Sequence, residues 1–145
     1  MININEITTN FFLVGCSIRH IEISNDLVFL NGNEKIQLEI GVKPVYQGVK
    51  NNKHSGTIKM RIDIYAERKD DPEQKASICT TIEGVFSAPE EMEEGQFMQM
   101  VAINGAAALY SIARGKIEAI TSNSFASGKI EIPFVNFLDY YKREQ

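Results

Sequence analysis

The sequence has few of the residues on which most catalytic and metal sites depend. Its 145 residues include only two histidines and two cysteines, and neither His20 nor His54 lies in a recognisable pattern with serine, cysteine or metal ligands. It contains no GxGxxG, P-loop, HExxH or CxxC motif. These absences argue against nucleotide, zinc and dithiol chemistry. We therefore predict a protein that is not an enzyme and that uses no cofactor and no metal.

An excess of basic charge is also missing. The formal net charge is −4 and the charges of both signs are mixed along the chain, so no basic stripe can follow a phosphate backbone or an anionic membrane surface. No apolar run approaches the roughly 18 to 20 residues that span a bilayer. Two cysteines without an export signal are typical of reduced thiols. We expect a soluble cytoplasmic protein that binds neither nucleic acid nor membranes.

The sequence does contain the alternation that is typical of an antiparallel sheet. Apolar residues occupy every second position in two stretches, 36–42 and 58–65, and a third stretch, 76–86, places Ile78, Thr80, Ile82, Gly84 and Phe86 on one face, as in strands with one buried face. The polar stretch 47–56 indicates a long turn between the first two. An earlier β-like stretch has apolar residues on both faces, with Phe12, Val14, Cys16 and Ile18 on one and Phe11, Leu13, Ile21 and Ile23 on the other. The apolar residues 27–30 are expected to form a patch inside a crossover loop.

After Phe86 the apolar period becomes that of a helix. Residues 96–121 favour helix, and one face is predicted to follow Phe97, Val101, Asn104, Ala108 and Ile112. Apolar residues occur on the other faces too, and a helix that is apolar nearly all round must be buried nearly all round. One sheet covers only one side, and the alanines with Gly105 would let a second helix approach closely. We predict a subunit interface along this helix; the alternative is a monomer with an unusually apolar helix.

The end of the chain predicts a short helix that docks on the rest. Pro133 stops the extended segment before it, and Asn136, with Asp139 three residues later, suits an N-cap. A helix of about two turns is too short to be stable alone. The residues expected to dock it are Phe137, Leu138 and Tyr141. We predict one α+β domain over residues 1–145, with a four-stranded antiparallel sheet and the long and short helices packed on one side.

This layout resembles the SecB family of protein-export chaperones, and three motifs carry the resemblance across essentially the whole chain. GVFS at 84–87 is similar to the family's GIFS corner, and NGAAALYSIARGKI at 104–117 to its helix signature N-x-LFPYAR-x-x-I. IPFVNFLDYY at 132–141 is similar to its P-V-N-F-x-x-L/Y finish. The resemblance implies a homotetramer, a dimer of dimers whose long helices pack in the middle, which holds unfolded clients in apolar grooves without ATP.

The resemblance also implies positions for both surfaces. The family's groove residues on the second strand fall on Leu38 and Ile40, and those on the last helix fall near Tyr140 and Tyr141. Apolar residues of the first strand and the crossover are further candidates for the same groove: Phe11, Leu13, Ile21, Ile23, Val28, Phe29 and Leu30. Core packing is an equally good interpretation of each. The subunit interface is predicted at Met100, Ile103, Ala106, Ala107, Tyr110, Arg114 and Ile117.

The sequence departs from the family where its members dock the translocation motor SecA. The acidic residues of that surface fall on or near His20, Ser24 and Thr80, none of which is acidic, so SecA is a doubtful partner. We predict a holdase for unfolded or nascent polypeptides, serving protein export (preprotein binding and transport) or one dedicated client such as the antitoxin of a toxin–antitoxin pair. The alternative is an adaptor oligomer with the SecB fold, which binds a folded partner and has no chaperone activity.

Overall fold

The computed structural model describes residues 1–3 and 10–145 of the chain. Four long strands come first: β1 (Phe12–Asn25), β2 (Glu34–Lys50), β3 (Lys53–Arg68) and β4 (Lys75–Pro89). The helices are α1 (Glu94–Met100), α2 (Ala106–Ser124) and α3 (Phe137–Glu144), and a π-helical turn, Val101–Gly105, joins α1 to α2. The predicted fold class is confirmed, with a four-stranded antiparallel sheet, a long helix and a short C-terminal helix.

The strands lie in the order β1-β4-β3-β2, and all neighbours are antiparallel. Because β1 and β2 are the two edge strands, the chain crosses from one edge of the sheet to the other between them. This crossover, residues 26–33, passes the ends of β3 and β4, where Asp26 donates its backbone N–H to the carbonyl of Lys75. It also pairs with the segment after α2 through a bridge between Phe29 and Ser127.

β3 and β4 carry the core on one face of the sheet. Every second residue is buried beneath the helices, from Ile58 to Ile64 in β3 and from Ile78 to Phe86 in β4, as the alternating pattern predicts. Polar and charged side chains occupy the opposite face, which we call the polar face. The helices pack over β2, β3 and β4, so β1 extends beyond them.

The π turn changes which residues of the long helix face the sheet. Phe97 and Val101 are buried as predicted, but the buried positions then continue at 105, 109, 113 and 117, each one residue later than a regular 3.6-residue spacing gives. The i→i+5 hydrogen bonds of a π turn take up one extra residue. The predicted face is therefore wrong beyond this turn, and Asn104 and Ala108 are exposed.

The β2–β3 hairpin is longer than the sequence indicated. Its strands continue to a turn of only Asn51 and Asn52, which both have positive φ, 54° and 63°, as a two-residue type I′ turn requires. Asparagine adopts this conformation more readily than most residues. The predicted long turn at 47–56 is wrong, because polar residues there, such as His54, are buried with hydrogen-bonding partners in the strands.

β1 also differs from its prediction, because two irregularities interrupt its alternation. Its register with β4 shifts between Leu13 and Gly15 and again between Ile18 and His20. Each shift places an extra, unpaired residue in β1 and reverses the faces of the residues beyond it. The residues opposite core-facing positions of β4 are therefore Leu13, Cys16, Ile18, Ile21 and Ile23, not two sets on two faces.

α3 is held by its N-cap and by aromatic packing. Asn136 accepts hydrogen bonds at 3.1 and 3.2 Å from two backbone N–H groups of the first turn, which confirms the predicted cap. Phe137 is buried and packs edge-on against Tyr110, with ring centroids 5.4 Å apart. Leu138 was predicted to dock the helix but is exposed. Tyr140, on the inward side, packs against the core instead.

Candidate client-binding site

The structure divides the predicted client-binding residues among three places. Leu38 and Ile40 lie on β2, and Tyr140 and Tyr141 lie on α3, which meets β2 at Val42. The β1 side holds Phe11, Leu13, Ile21 and Ile23. The crossover holds Val28, Phe29 and Leu30. Because adjacent strands are about 4.8 Å apart, β1 and β2 are separated by about 14 Å across the sheet, and their residues belong to separate surfaces of one chain.

Tyr140 and Tyr141 line one small cavity between α3 and β2, which we call the β2–α3 groove. Its volume is about 170 Å³, and its walls include Val42 and Pro44 of β2, Ala102 of the π turn, and Tyr140 and Tyr141 of α3. Glu144 and Gln145 complete the lining. Mainly apolar walls with two tyrosine hydroxyls and a polar end suit a groove that is wet when empty and that packs against apolar side chains when filled.

Leu38 and Ile40 lie further along β2 than the residues that line the β2–α3 groove. Both lie on the helix-facing side, opposite Ile64 and Ile62 of β3, and both are half-buried against the core. Each therefore contributes to packing and keeps part of its side chain at the surface.

At the opposite edge, β1 exposes apolar side chains because the helices do not cover it. Leu13 and Ile21 face the helix side of the sheet, yet each is 37% exposed. Their neighbours Phe12 and Val14 are more exposed still. We call these four residues the β1 edge surface. Phe12 and Val14 were not among the predicted site residues, although the apolar pattern on both faces of this strand was the signal that pointed to them.

The remaining β1 candidates belong to the core. Phe11 stacks on Phe86 with ring centroids 5.5 Å apart and also packs against Phe97. Ile23 lies opposite Ile78 and is half-buried against the core. Both side chains therefore pack against the core.

The crossover presents a third apolar surface that Arg68 holds in place. The Arg68 guanidinium lies 4.9 Å from the centroid of the Phe29 ring and donates to the Phe29 carbonyl at 2.8 Å. It is also 3.7 Å from the Glu34 carboxylate. Val28 points to solvent, whereas Leu30 is half-buried.

Comparison with known proteins identifies the fold of the chain. No family model matches the chain, and no curated protein matches it. The structure is similar to that of Rv1957, a SecB-like chaperone of Mycobacterium tuberculosis solved in complex with a ChAD peptide from the Rv1956 HigA1 antitoxin. The TM-score is 0.66, and the aligned residues, which are 12% identical, cover 87% of this chain and 91% of that one. The chain has the SecB-like fold. Within the described residues, no helix is long and apolar enough to cross a membrane.

The SecB-like fold leaves only part of the predicted subunit interface at the surface. Ala106, Tyr110 and Ile117 are buried within the chain, so their prediction as interface residues is wrong. The extra residue in the π turn rotates them toward the sheet. Met100, Ile103 and Arg114 are half-buried, and Ala107 is exposed.

Arg114 has a second role, since it holds the segment that precedes α3. Its Nε donates to the Ile132 carbonyl at 2.9 Å, and its guanidinium lies 4.2 Å from the centroid of the Phe134 ring. Phe134 is nevertheless 87% exposed, and it was not among the predicted site residues. Its position after a proline-containing extended segment gave no periodic signal.

Only two of the three positions that were compared with the SecA-docking surface lie on the polar face. His20 and Ser24 lie opposite Thr81 and Ser77 on this face, whereas Thr80 is buried on the helix-facing side. Thr80 therefore cannot contribute to docking on the polar face.

An ion pair lies at the centre of the polar face. Arg61 Nε donates to both carboxylate oxygens of Asp63, at 2.8 and 3.1 Å. A hydrogen bond to Asp63 raises the pKa of the Cys79 thiol, and burial raises it further. This thiol is therefore held in its neutral form.

His54 is part of the framework that joins the hairpin to the start of the long helix. Its Nε2 is 2.5 Å from the Met92 carbonyl and its Nδ1 is 2.8 Å from the Tyr46 hydroxyl. Because the carbonyl can only accept, Nε2 donates and Nδ1 accepts from Tyr46. Burial raises the pKa of Tyr46, and the nearby Glu94 carboxylate adds to the effect. Both ring nitrogens of His54 are thus engaged in structural bonds.

Proposed function

We propose that the protein is an ATP-independent holdase that binds unfolded polypeptides through the β2–α3 groove and the β1 edge surface. The observation that carries this proposal is the exposed apolar side chains at both edges of the sheet, in a fold shared with a chaperone solved with a peptide bound. An unfolded chain exposes apolar segments, and burying them yields about 25 cal/mol per Å² without any readout of sequence.

Tyr140 and Tyr141 suit the client-binding role. Each offers a rigid apolar ring with a polar tip, and such residues bind varied partners at a low cost in side-chain entropy. Tyr140 is also fixed, because its hydroxyl accepts a hydrogen bond from Val42 at 3.2 Å. Tyr141 has no such role and is the better residue for testing client contact.

The proposal includes a homotetramer, a dimer of dimers that associates through the outer side of the long helix. Small exposed residues recur there at helical spacing, with Ala107, Ser111 and Gly115 four residues apart, and such a surface allows close helix packing. Ala107→Glu should lower the mass measured by light scattering. Gln37→Glu, which adds the same charge on the polar face, should leave it unchanged. An unaltered mass for Ala107→Glu would contradict this interface.

Aggregation of a reduced, unfolded model protein tests the holdase itself. Without ATP, the unmodified chain should suppress the light scattering of the aggregating protein. Tyr141→Ala and Leu38→Asp should weaken suppression while the oligomer stays intact. Tyr65→Ala is the control, because it removes a tyrosine that is more exposed than Tyr141 and lies on the polar face.

Three outcomes of the aggregation assay would count against parts of the proposal. No suppression by the unmodified chain would reject the holdase and favour the adaptor oligomer. Dissociation of the Tyr141→Ala and Leu38→Asp variants would assign Tyr141 and Leu38 to packing. An equal loss in Tyr65→Ala would show that the effect does not come from the groove.

We propose that the clients are cytoplasmic chains and favour one dedicated client, such as an antitoxin, over general export. The absence of acidic side chains at His20 and Ser24 supports this choice, as does the antitoxin peptide bound to the structural neighbour. Sequencing of the adjacent genes tests it: a toxin and an antitoxin are expected there. Recovery of exported precursors with the chaperone would favour export instead.

A further inference from the structure

We propose that the free side of edge strand β2 binds a client as a fifth strand of the sheet, along residues 36–40. This inference rests on the proposed holdase function. It specifies the conformation of the bound segment and the position on the strand where it pairs.

The direction of the β2 backbone follows from one hydrogen bond. The N–H of Val42 donates to the Tyr140 hydroxyl, and Tyr140 belongs to α3, so this N–H points away from β3. In an antiparallel ladder the backbone groups of every second residue point to the same side. The register with β3 is regular from Glu34 to Tyr46. The other residues whose backbone groups point outward are therefore Ile36, Leu38 and Ile40.

These outward groups have no partner in the part of the chain that the structure describes. The sheet ends at β2, and none of the hydrogen bonds outside the strand ladders involves Ile36, Leu38 or Ile40. Unpaired groups along an edge strand are a template for another strand. Toward the hairpin the template ends, because Tyr140 occupies Val42 and because Pro44, at the next outward position, has no N–H.

The side chains define what the added strand must carry. Ile36 is exposed on the helix-facing side, and Leu38 and Ile40 are half-buried beside it, so an added strand would pack every second side chain on this apolar row. Its other side chains would lie next to Lys35 and Glu39 on the polar face. The expected ligand is an extended segment of about five residues, apolar at alternate positions, since strand addition takes affinity from main-chain bonds and specificity from alternate side chains.

A peptide with a modified backbone separates strand addition from simple apolar contact. The probe is a synthetic peptide of about seven residues with alternating valine and threonine and one tryptophan, whose emission is free of background because the chain has no tryptophan. Two derivatives carry N-methyl groups on one or the other alternate set of backbone nitrogens. Only one set can face β2, so one derivative should bind about tenfold or more weakly and the other should bind nearly as well as the parent.

Matched variants of β2 test the same point from the side of the protein. Leu38→Pro removes an outward N–H without breaking the ladder to β3, as Pro44 already does in this strand. Leu38→Ala keeps the N–H and also loses side-chain contact. The proline variant should bind the parent peptide several-fold more weakly than the alanine variant. If Leu38→Pro unfolds in thermal melts, Ile36→Pro and Ile36→Ala replace the pair.

The outcomes distinguish this inference from the proposed function. Equal affinities for the parent peptide and both methylated derivatives, or for the proline and alanine variants, overturn strand addition while aggregation suppression leaves the holdase standing. Failure of all peptides to bind, together with no aggregation suppression, overturns both.

Discussion

Replacing Thr80 with valine should stabilise the protein. Thr80 is 1% exposed in the middle of β4, directly opposite Ile62 and Ile21 of the neighbouring strands. Its hydroxyl has no hydrogen-bond partner among the described residues. A buried hydroxyl left without a partner costs about 1–3 kcal/mol, and valine has nearly the same shape and favours strands. We expect the free energy of unfolding to rise by about 1–2 kcal/mol.

Urea unfolding measures this effect, with a higher midpoint at an unchanged m-value, and each 1 kcal/mol corresponds to about 2–4 °C in Tm at this chain length. Thr121→Val is the matched control. Thr121 is equally buried, but its hydroxyl accepts from the Ile130 N–H at 3.0 Å and donates to the Glu118 carbonyl at 3.2 Å. That variant should lose about 1–3 kcal/mol. A loss of stability in Thr80→Val would refute the reasoning, because it would mean that the hydroxyl has a partner.

Three further predictions concern the helices and the polar face. Asn136→Ala should cost about 1 kcal/mol through loss of the α3 cap, which hydrogen exchange of the α3 amides would report. Gly105→Ala should destabilise the chain because the new Cβ would lie 3.1 Å from the buried ring of Phe86. Gly115→Ala has open space around it and should raise the free energy of unfolding by up to about 1 kcal/mol. Equal shifts in the melting temperatures of the two variants would contradict this contrast. Since its pKa is raised in the folded state, Cys79 should contribute stability below the ordinary thiol pKa of about 8.5 that is lost as pH rises through the folded value. The urea midpoint should fall less with alkaline pH in Cys79→Ala, and parallel curves would exclude this thiol as the cause.

The sheet was predictable where one face repeats at every second residue. The apolar residues from Ile58 to Ile64 and the buried residues from Ile78 to Phe86 each keep a two-residue period, and a local pattern of this kind identifies a strand and its buried face together. The same reasoning failed at β1, because the two register shifts depend on pairing with β4 and leave no mark in the composition of the strand. It failed again at 47–56, where His54 is polar but buried.

The candidate site was predictable only in part, for a similar reason. Leu38 and Ile40 were named together with Tyr140 and Tyr141 through a family resemblance; the two tyrosines line one cavity with Val42 and Pro44, whereas Leu38 and Ile40 lie further along β2. The residues predicted along the long helix were displaced, because one extra residue in a single turn moves Ala106 and Tyr110 from the outer side to the core. Phe134 was missed because its exposure depends on how Arg114 holds an irregular segment.

The π turn makes the winding of the chain between Val101 and Gly105 critical. If these five residues wound as a regular α-helix, the following nineteen residues of α2 would turn by about 100° relative to α1. Lys116 would then enter the site now filled by Ile117, and Ala108 would replace Leu109 under the sheet. Deleting one of the five residues would instead leave a regular helix in which Leu109 and Ile117 keep their buried positions, so the long helix should tolerate a one-residue deletion here better than within α2.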